Sequence, residues 1–361
     1  MFIKKYLEKM IEENASDLFV RAGGLVRMRI DGRVTTVDEH VMTVEEVFES
    51  VKEITSEPQK EAFRKNRDVD FAFYSQELDH RFRVSLFLQR NWPAMVIRLV
   101  QNSTQNFEEL GLPGDVLKKL CTESRGMVLL TGSAGSGKST TIASMIAHIN
   151  ETMNKHILTV EEPIEFTFND SHSIVNQREL GLDVSSYAVA LRAFTLQSPD
   201  VIYIGNIRDQ DTMFSAMTAA ETGVLVFSTL HTINAFQTVE RIVNFFPPHQ
   251  HNEIRMQLSF TLKGVISLRL VPRKDGTGRV PAYEVMLLTP TIARLIRENK
   301  VWEIPHFIEE GKIFGMQSFM QSLVKLVRDG TITEEIGAEF ADNKEEFYQA
   351  LKGIKKVSNM E

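Results

Sequence analysis

Between residues 132 and 139 the chain reads GSAGSGKS: Gly132, Ser133, Ala134, Gly135, Ser136, Gly137, Lys138 and Ser139, with Thr140 next. The pattern satisfies G-x-x-x-x-G-K-[ST]. Its glycines let the backbone wrap tightly enough for N–H groups to converge on an anion. A helix opening at Lys138 would add the positive end of its dipole. The Lys138 ammonium is then expected to reach the β- and γ-phosphates, and Ser139 to ligand Mg²⁺. The chemistry is nucleotide binding, with ATP and Mg²⁺ as the expected ligands. The loop alone does not state the purpose, because many functions share it.

Other residues fit the same chemistry. Glu161, Glu162 and Glu165 follow an apolar run at 157–160. Carboxylates just past such a strand stand where open parallel sheets hold ligands. They act there through metal-bound water, or they cap a strand and face solvent. His231 follows the apolar run 224–227. It reads either as a γ-phosphate sensor or domain contact, or as a packed histidine. Developing charge on a transferred phosphoryl group calls for a guanidinium, often from a neighbouring subunit. Arg81, Arg83 and Arg98 in the first hundred residues are candidates, as are Arg178, Arg192 and Arg208. Each alone is equally an ordinary surface or salt-bridge arginine. The sole cysteine, Cys121, excludes an intrachain disulfide and reads as a small core residue. His and Cys do not cluster, so no structural zinc is expected.

The elements that position these residues follow from periodicity. The 361 residues suggest two domains, and 43% hydrophobic with 25% charged is ordinary globular composition. A net charge of −7 argues against a nucleic-acid partner bound through a basic surface. No apolar run approaches the roughly 18 residues of a membrane span, and the N-terminus does not read as a secretory signal. A soluble, cytoplasmic protein is expected. Over residues 1–100, Ile3, Tyr6, Leu7, Met10 and Ile11 predict an amphipathic helix. Thr43 and Glu46 predict a capping box, and Pro58 a short helix. Strands are predicted at 17–21, 25–30, 33–37, 69–73, 82–88 and 95–100, with a hairpin turn at Asp31 and Gly32. The polar stretch 101–110 reads as a linker. Apolar runs at 127–130, 157–160, 201–204, 224–227 and 265–270 then alternate with helical patterns. That rhythm predicts a parallel sheet covered on both faces over 111–289, and residues 290–361 read as helical.

Beyond the loop, the chain resembles the type IV pilus retraction ATPases, the twitching-motility family of secretion ATPases. Ser16 to Leu18 and Ile30 to Arg33 look like the family's N-terminal PAS-like domain. Glu161 to Glu165 resembles its acidic box, Ser198 to Ile202 with Gly205 to Asp209 its Walker B segment, and Thr229 to Thr232 its histidine box. Ile292 to Ile296 resembles its C-terminal retraction motif. Residues 82–91, 244–247 and 270–272 look closer to the PilU-type accessory paralogues than to the principal motors. The resemblance implies an α/β fold: an N-terminal PAS-like α+β domain, a RecA-like P-loop ATPase core and a C-terminal helical region. It implies a homo-hexameric ring at the inner face of the inner membrane, coupling ATP hydrolysis to domain movement. Partners would be a membrane platform protein and, for an accessory paralogue, the principal retraction ATPase.

The resemblance also assigns roles. Glu165 matches the last residue of the acidic box and is the first choice for orienting water. Asn206 stands where family members place Glu, and it can neither carry charge nor accept a proton. Leu196, Gln197 and Ser198 stand where principal motors have Arg-Glu-Asp, and Val224 replaces a second family histidine. Two readings stay open: a slow ATPase that relies on Glu165, or an ATP-binding subunit impaired in hydrolysis.

Overall fold

The computed structural model describes residues 2–30, 33–100 and 104–354. The chain divides into two compact units, Met1–Ser103 with the short segment Glu165–Thr167, and Thr104–Ile164 with Phe168–Glu361. Of the expected linker, residues 101–103 lie outside the described residues, as do Asp31 and Gly32 of the expected hairpin turn.

The first unit holds α1 (Lys4–Glu12), β1 (Asp17–Arg21), β2 (Leu25–Ile30), β3 (Arg33–Val41), α2 (Val44–Ile54), α3 (Glu57–Asn66), β4 (Asp68–Ser75), β5 (His80–Gln89) and β6 (Trp92–Leu99). The strands form an antiparallel sheet in the order β3-β2-β1-β6-β5-β4. The apolar face of α1 packs Tyr6, Leu7 and Met10 into a core with Leu18, Phe82 and Ile97. The Thr43/Glu46 capping box closes the start of α2. Ile30 faces Arg33 in register, as a tight hairpin requires.

One charged contact crosses three strands. Buried Asp17 stands in register between Arg29 of β2 and Arg98 of β6. Its carboxylate accepts hydrogen bonds from Ser16 Oγ at 2.8 Å, Arg29 Nε at 3.1 Å and Arg98 Nε at 3.0 Å. Burial pushes its pKa up, but Ser16, Arg98 and Arg29 outweigh that and hold it below the ordinary carboxylate value. The stabilisation is therefore present above pH 4 and is lost as pH falls through the lowered pKa. Asp17→Asn is expected to lower unfolding free energy by about 1–2 kcal/mol, since both arginines stay partly hydrated. A urea midpoint equal to wild type at pH 7 would show that the pairing contributes nothing.

The second unit opens with α4 (Gly114–Cys121), β7 (Gly126–Thr131), α5 (Lys138–Thr152), β8 (His156–Glu161) and β9 (Ile174–Glu179). It continues through α6 (Tyr187–Phe194), β10 (Val201–Ile204), α7 (Gln210–Glu221), β11 (Leu225–Leu230), α8 (Ala235–Val243) and α9 (His251–Thr261). Next come β12 (Leu262–Pro272), β13 (Arg279–Leu287), α10 (Pro290–Arg297), α11 (Ile304–Glu310), α12 (Phe319–Arg328), α13 (Glu334–Phe340) and α14 (Lys344–Leu351). The sheet order is β13-β12-β7-β11-β10-β8-β9, parallel except for β13. Every residue of β7, β10 and β11 is buried, as strands covered on both faces demand. All five apolar runs lie in strands. β11 starts one residue later than its run and extends to Leu230, so His231 is the first residue beyond it. The structure adds two edge strands that periodicity did not reveal, β9 and β13.

The C-terminal helices α12 to α14 have their own small core, with Phe319, Leu323 and Phe347 packed with Val271 and Ala282 of the β12–β13 hairpin. Cys121 is buried, its thiol donates to the Met145 carbonyl at 3.8 Å, and burial pushes its pKa up to about 12. Among the described residues no helix is long and apolar enough to cross a membrane.

Candidate active site

The site is assembled by register. Leu230 pairs with Thr131, and Ile204 pairs with both Ser228 and Val160. The residues that leave these four parallel strands therefore emerge along one edge: Gly132, His231, Gly205 with Asn206, and Glu161 with Glu162. This is the carboxyl edge at which open α/β sheets bind ligands.

Gly132 takes φ +141°, and a Cβ there would lie 2.5 Å from the Leu268 carbonyl, so only glycine lets the loop leave β7 at this angle. Gly135 and Gly137 also have positive φ, and α5 begins at Lys138. The loop thus delivers its amides and the start of a 15-residue helix to the same place. Lys138 is buried, and its Nζ donates to the carbonyls of Gly132 and Ser133, both at 2.8 Å. Beside the loop lies a hollow of about 320 Å³, lined by Ser136, Gly137, Thr140, Leu268, Leu270 and Arg279. Its size and its mix of apolar and polar walls suit a nucleotide.

The other strand ends converge on Asn206. Asn206 Nδ2 donates to His231 Nε2 at 3.2 Å, and the imidazole also hydrogen-bonds the backbone of Gly132. Lost hydration, then the charges of Lys138 and Arg208, push the His231 pKa below its ordinary value. The ring is neutral at pH 7 and joins the phosphate loop to the segment that follows β10. Gly205 lets the end of β10 lie close against that of β8, since a Cβ there would stand 3.2 Å from the Glu161 Cα. Buried Glu161 accepts from Thr159 Oγ1 at 2.7 Å and from Gln177 Nε2 at 3.1 Å. Those two donors face one another across β8 and β9 and fix the carboxylate's direction. Glu162 is exposed and pairs with Arg208 at 3.3 Å.

Glu165 is exposed and groups with the first unit. Of the three candidate carboxylates, Glu161 and Glu162 are the ones that the second unit carries at the end of β8. Among the candidate arginines, only Arg208 is placed at these strand ends within its own unit. Arg178 donates to the Asp183 carbonyl at 2.8 Å, and Arg192 is exposed on α6. In the first unit Arg81 is half-buried, Arg83 lies 3.9 Å from Asp70, and Arg98 is held by Asp17. Tyr187, Thr159 and Gln177 join the site without any motif to announce them. Tyr187 lies near Gly205, and burial, with the charges of Glu162 and Glu161, raises its pKa.

The residues present fit a magnesium nucleotide. Ser136 Oγ, Tyr187 Oη and Asn206 Oδ1 are buried at this edge without a hydrogen-bond partner, and such groups carry a cost that a polar ligand removes. Among the described residues no group of three or more His, Cys, Asp or Glu could hold a metal by itself. Mg²⁺ in nucleotide sites needs no such cage, because phosphate oxygens and water complete its shell beside a single hydroxyl. Ser139, the second residue of α5, carries a hydroxyl of that kind.

Comparison with known proteins agrees with this geometry. The family model described as Type II/IV secretion system protein matches residues 1–338. The "Type IV pilus ATPase PilU" of Pseudomonas aeruginosa is 41% identical over 352 residues, covering 98% of this chain and 92% of the relative. The "Type IV pilus retractation ATPase PilT" of the same organism is 40% identical over 347 residues, covering 96% and 100%. A crystal structure of the pilus retraction motor PilT with bound ADP superposes with a TM-score of 0.88 at 41% identity, covering 95% of this chain and 98% of that one.

Proposed function

From the premise that the chain belongs to the type II/IV secretion system protein family, we propose that it is a P-loop ATPase that powers or assists type IV pilus retraction. The observation that carries this reading is the Gly132–His231–Asn206 linkage: the phosphate loop and the Walker B segment share one neutral imidazole. A sensor that touches both can report whether a γ-phosphate is present.

In this reading the loop amides and Lys138 hold the triphosphate, and the Lys138 ammonium leaves the Gly132 and Ser133 carbonyls for phosphate oxygens. Ser139 would hold Mg²⁺, whose charge would offset that of the phosphates. Glu161, fixed by Thr159 and Gln177, would order water beside them. By its match to the last residue of the acidic box Glu165 is the first choice for orienting the attacking water, and Arg208 or a guanidinium from a neighbouring copy would stabilise the leaving charge. Hydrolysis in a homo-hexamer would move each first unit against a neighbour's second unit. The ring would sit peripherally at the inner membrane and work on a membrane platform protein, with the principal retraction ATPase as a further partner of an accessory paralogue.

A second reading rests on one observation. Asn206 occupies the Walker B position where the family resemblance places Glu, and its Oδ1 accepts nothing among the described residues. The protein would then bind ATP in a mixed ring and hydrolyse it poorly. Phosphate release by the purified protein, with and without Mg²⁺, tests both readings together with mass measurement of the particle. Magnesium-dependent release from a six-subunit particle is expected. Absence of saturable binding of a fluorescent ATP analogue with Mg²⁺ would overturn both.

A further inference from the structure

Glu284 is the least expected carboxylate in the second unit. It lies on β13 in the apolar run VPAYEVML and is only 7% exposed. Its Oε1 accepts the backbone N–H of Ala235, the first residue of α8, at 2.7 Å. α8 begins four residues after His231. Its first turn is tied back to the histidine segment, because Thr232 Oγ1 and Thr238 Oγ1 lie 2.7 Å apart and Thr238 also donates to the Asn234 carbonyl. Across the hairpin, Ser267 of β12 pairs with Glu284, and Ser267 Oγ accepts from Thr131, the residue before the phosphate loop.

The other side of Glu284 faces the C-terminal helices. Arg269 of β12 is the cation whose charge acts on it, while Asp342 after α13 and Glu309 of α11 act against it. Arg269 is committed to the helical region: it donates to the Phe340 carbonyl at 2.9 Å and to Asp342 at 2.8 Å, and it stacks on Phe319 at 3.9 Å. Glu284 thus lies between the start of α8, which it bonds directly and which is tied to Thr232 beside His231, and Arg269, whose charge acts on it and which bonds the α13–α14 corner. A carboxylate kept in an apolar strand at a helix N-terminus, between a sensor and a peripheral helical layer, is an expensive arrangement for stability alone.

We propose that Glu284 is a positioning residue for ATP turnover: ionised, it fixes the N-terminus of α8 and so holds His231 against the phosphate loop, and the C-terminal helices set its ionisation through Arg269 and Asp342. This rests on the ATPase reading above. Burial raises the Glu284 pKa to about 7, against the Ala235 N–H and Arg269, so the switch lies in the physiological range. As pH rises through 7 the carboxylate ionises, its bond to the helix N-terminus strengthens, and turnover increases.

The test is kcat and KM for Mg-ATP from pH 5.5 to 9, with binding of a fluorescent ATP analogue measured in parallel. Wild type is expected to show a kcat step of about fivefold or more centred near pH 7, at nearly constant KM. Glu284→Gln keeps the size and an acceptor oxygen but cannot ionise. It should hold the low plateau throughout, with analogue affinity unchanged. Asp342→Asn removes a charge that raises the Glu284 pKa, so its step should move to lower pH. A step that persists unmoved in Glu284→Gln, or that does not shift in Asp342→Asn, overturns the proposal. Wild-type protein that binds no analogue would instead overturn the ATPase reading, so the two failures are distinguishable.

Discussion

Lys138→Ala releases phosphate from ATP on the order of 10²–10³-fold more slowly than wild type, or not measurably. The reason is where the ammonium sits. It is buried at the mouth of the loop, 2.8 Å from two of the loop's own carbonyls, and those carbonyls are its stand-in for phosphate oxygens. Phosphoryl transfer offers little covalent chemistry to a protein, so positioned charge supplies most of the rate. Alanine removes that charge and leaves the amides and helix N-terminus in place. Analogue binding should weaken less than turnover, because the backbone still contributes. Thermal unfolding should change little, because the ammonium's hydrogen bonds to Gly132 and Ser133 lie within the loop itself. A variant with turnover within threefold of wild type would remove the loop from the mechanism.

Asn206→Glu should raise kcat by about a hundredfold if the Walker B position limits turnover. The amide is buried at the strand end, donating to His231 and leaving Oδ1 without a partner. A carboxylate there restores an acceptor for metal-bound water, and its charge acts on two neighbours. It favours the imidazolium and so raises the His231 pKa. It also lies near buried Glu161, and two close carboxylates raise one another's pKa. The acid limb of the pH–rate profile should therefore move toward neutrality while the plateau rises. Equal turnover in wild type and variant would dispose of the impaired-subunit reading and leave the chemistry to Glu161 and Glu165.

The parts of the site that sequence revealed are those bound to a fixed spacing. The phosphate loop needs three glycines, a lysine and a hydroxyl at set intervals, and strand and helix flank it as the pattern requires. The buried parallel strands were legible because burial on both faces demands unbroken apolar runs. The edge strands were not. β9 reads IVNQRE, with Glu179 its one buried residue, so no apolar period marks it. β13 contains Pro281 and Glu284, and both argue against a strand unless it lies at an edge and the carboxylate has a partner. Tyr187 of α6 and Gln177 of β9 joined the site by tertiary packing, which leaves no local signal. Glu284 could have been flagged, since one carboxylate in VPAYEVML asks what holds it. The answer, the Ala235 N–H, lies 49 residues away.

The buried Cys121 has a practical consequence. With its thiol pushed up to about 12 and 2% exposed, it stays protonated and sheltered from maleimides under ordinary conditions. The native chain is thus already silent toward thiol labelling, and a cysteine introduced on either unit would carry a spin label or fluorophore alone. Pairs of such labels can follow domain motion during turnover in a protein whose native cysteine has been left in place.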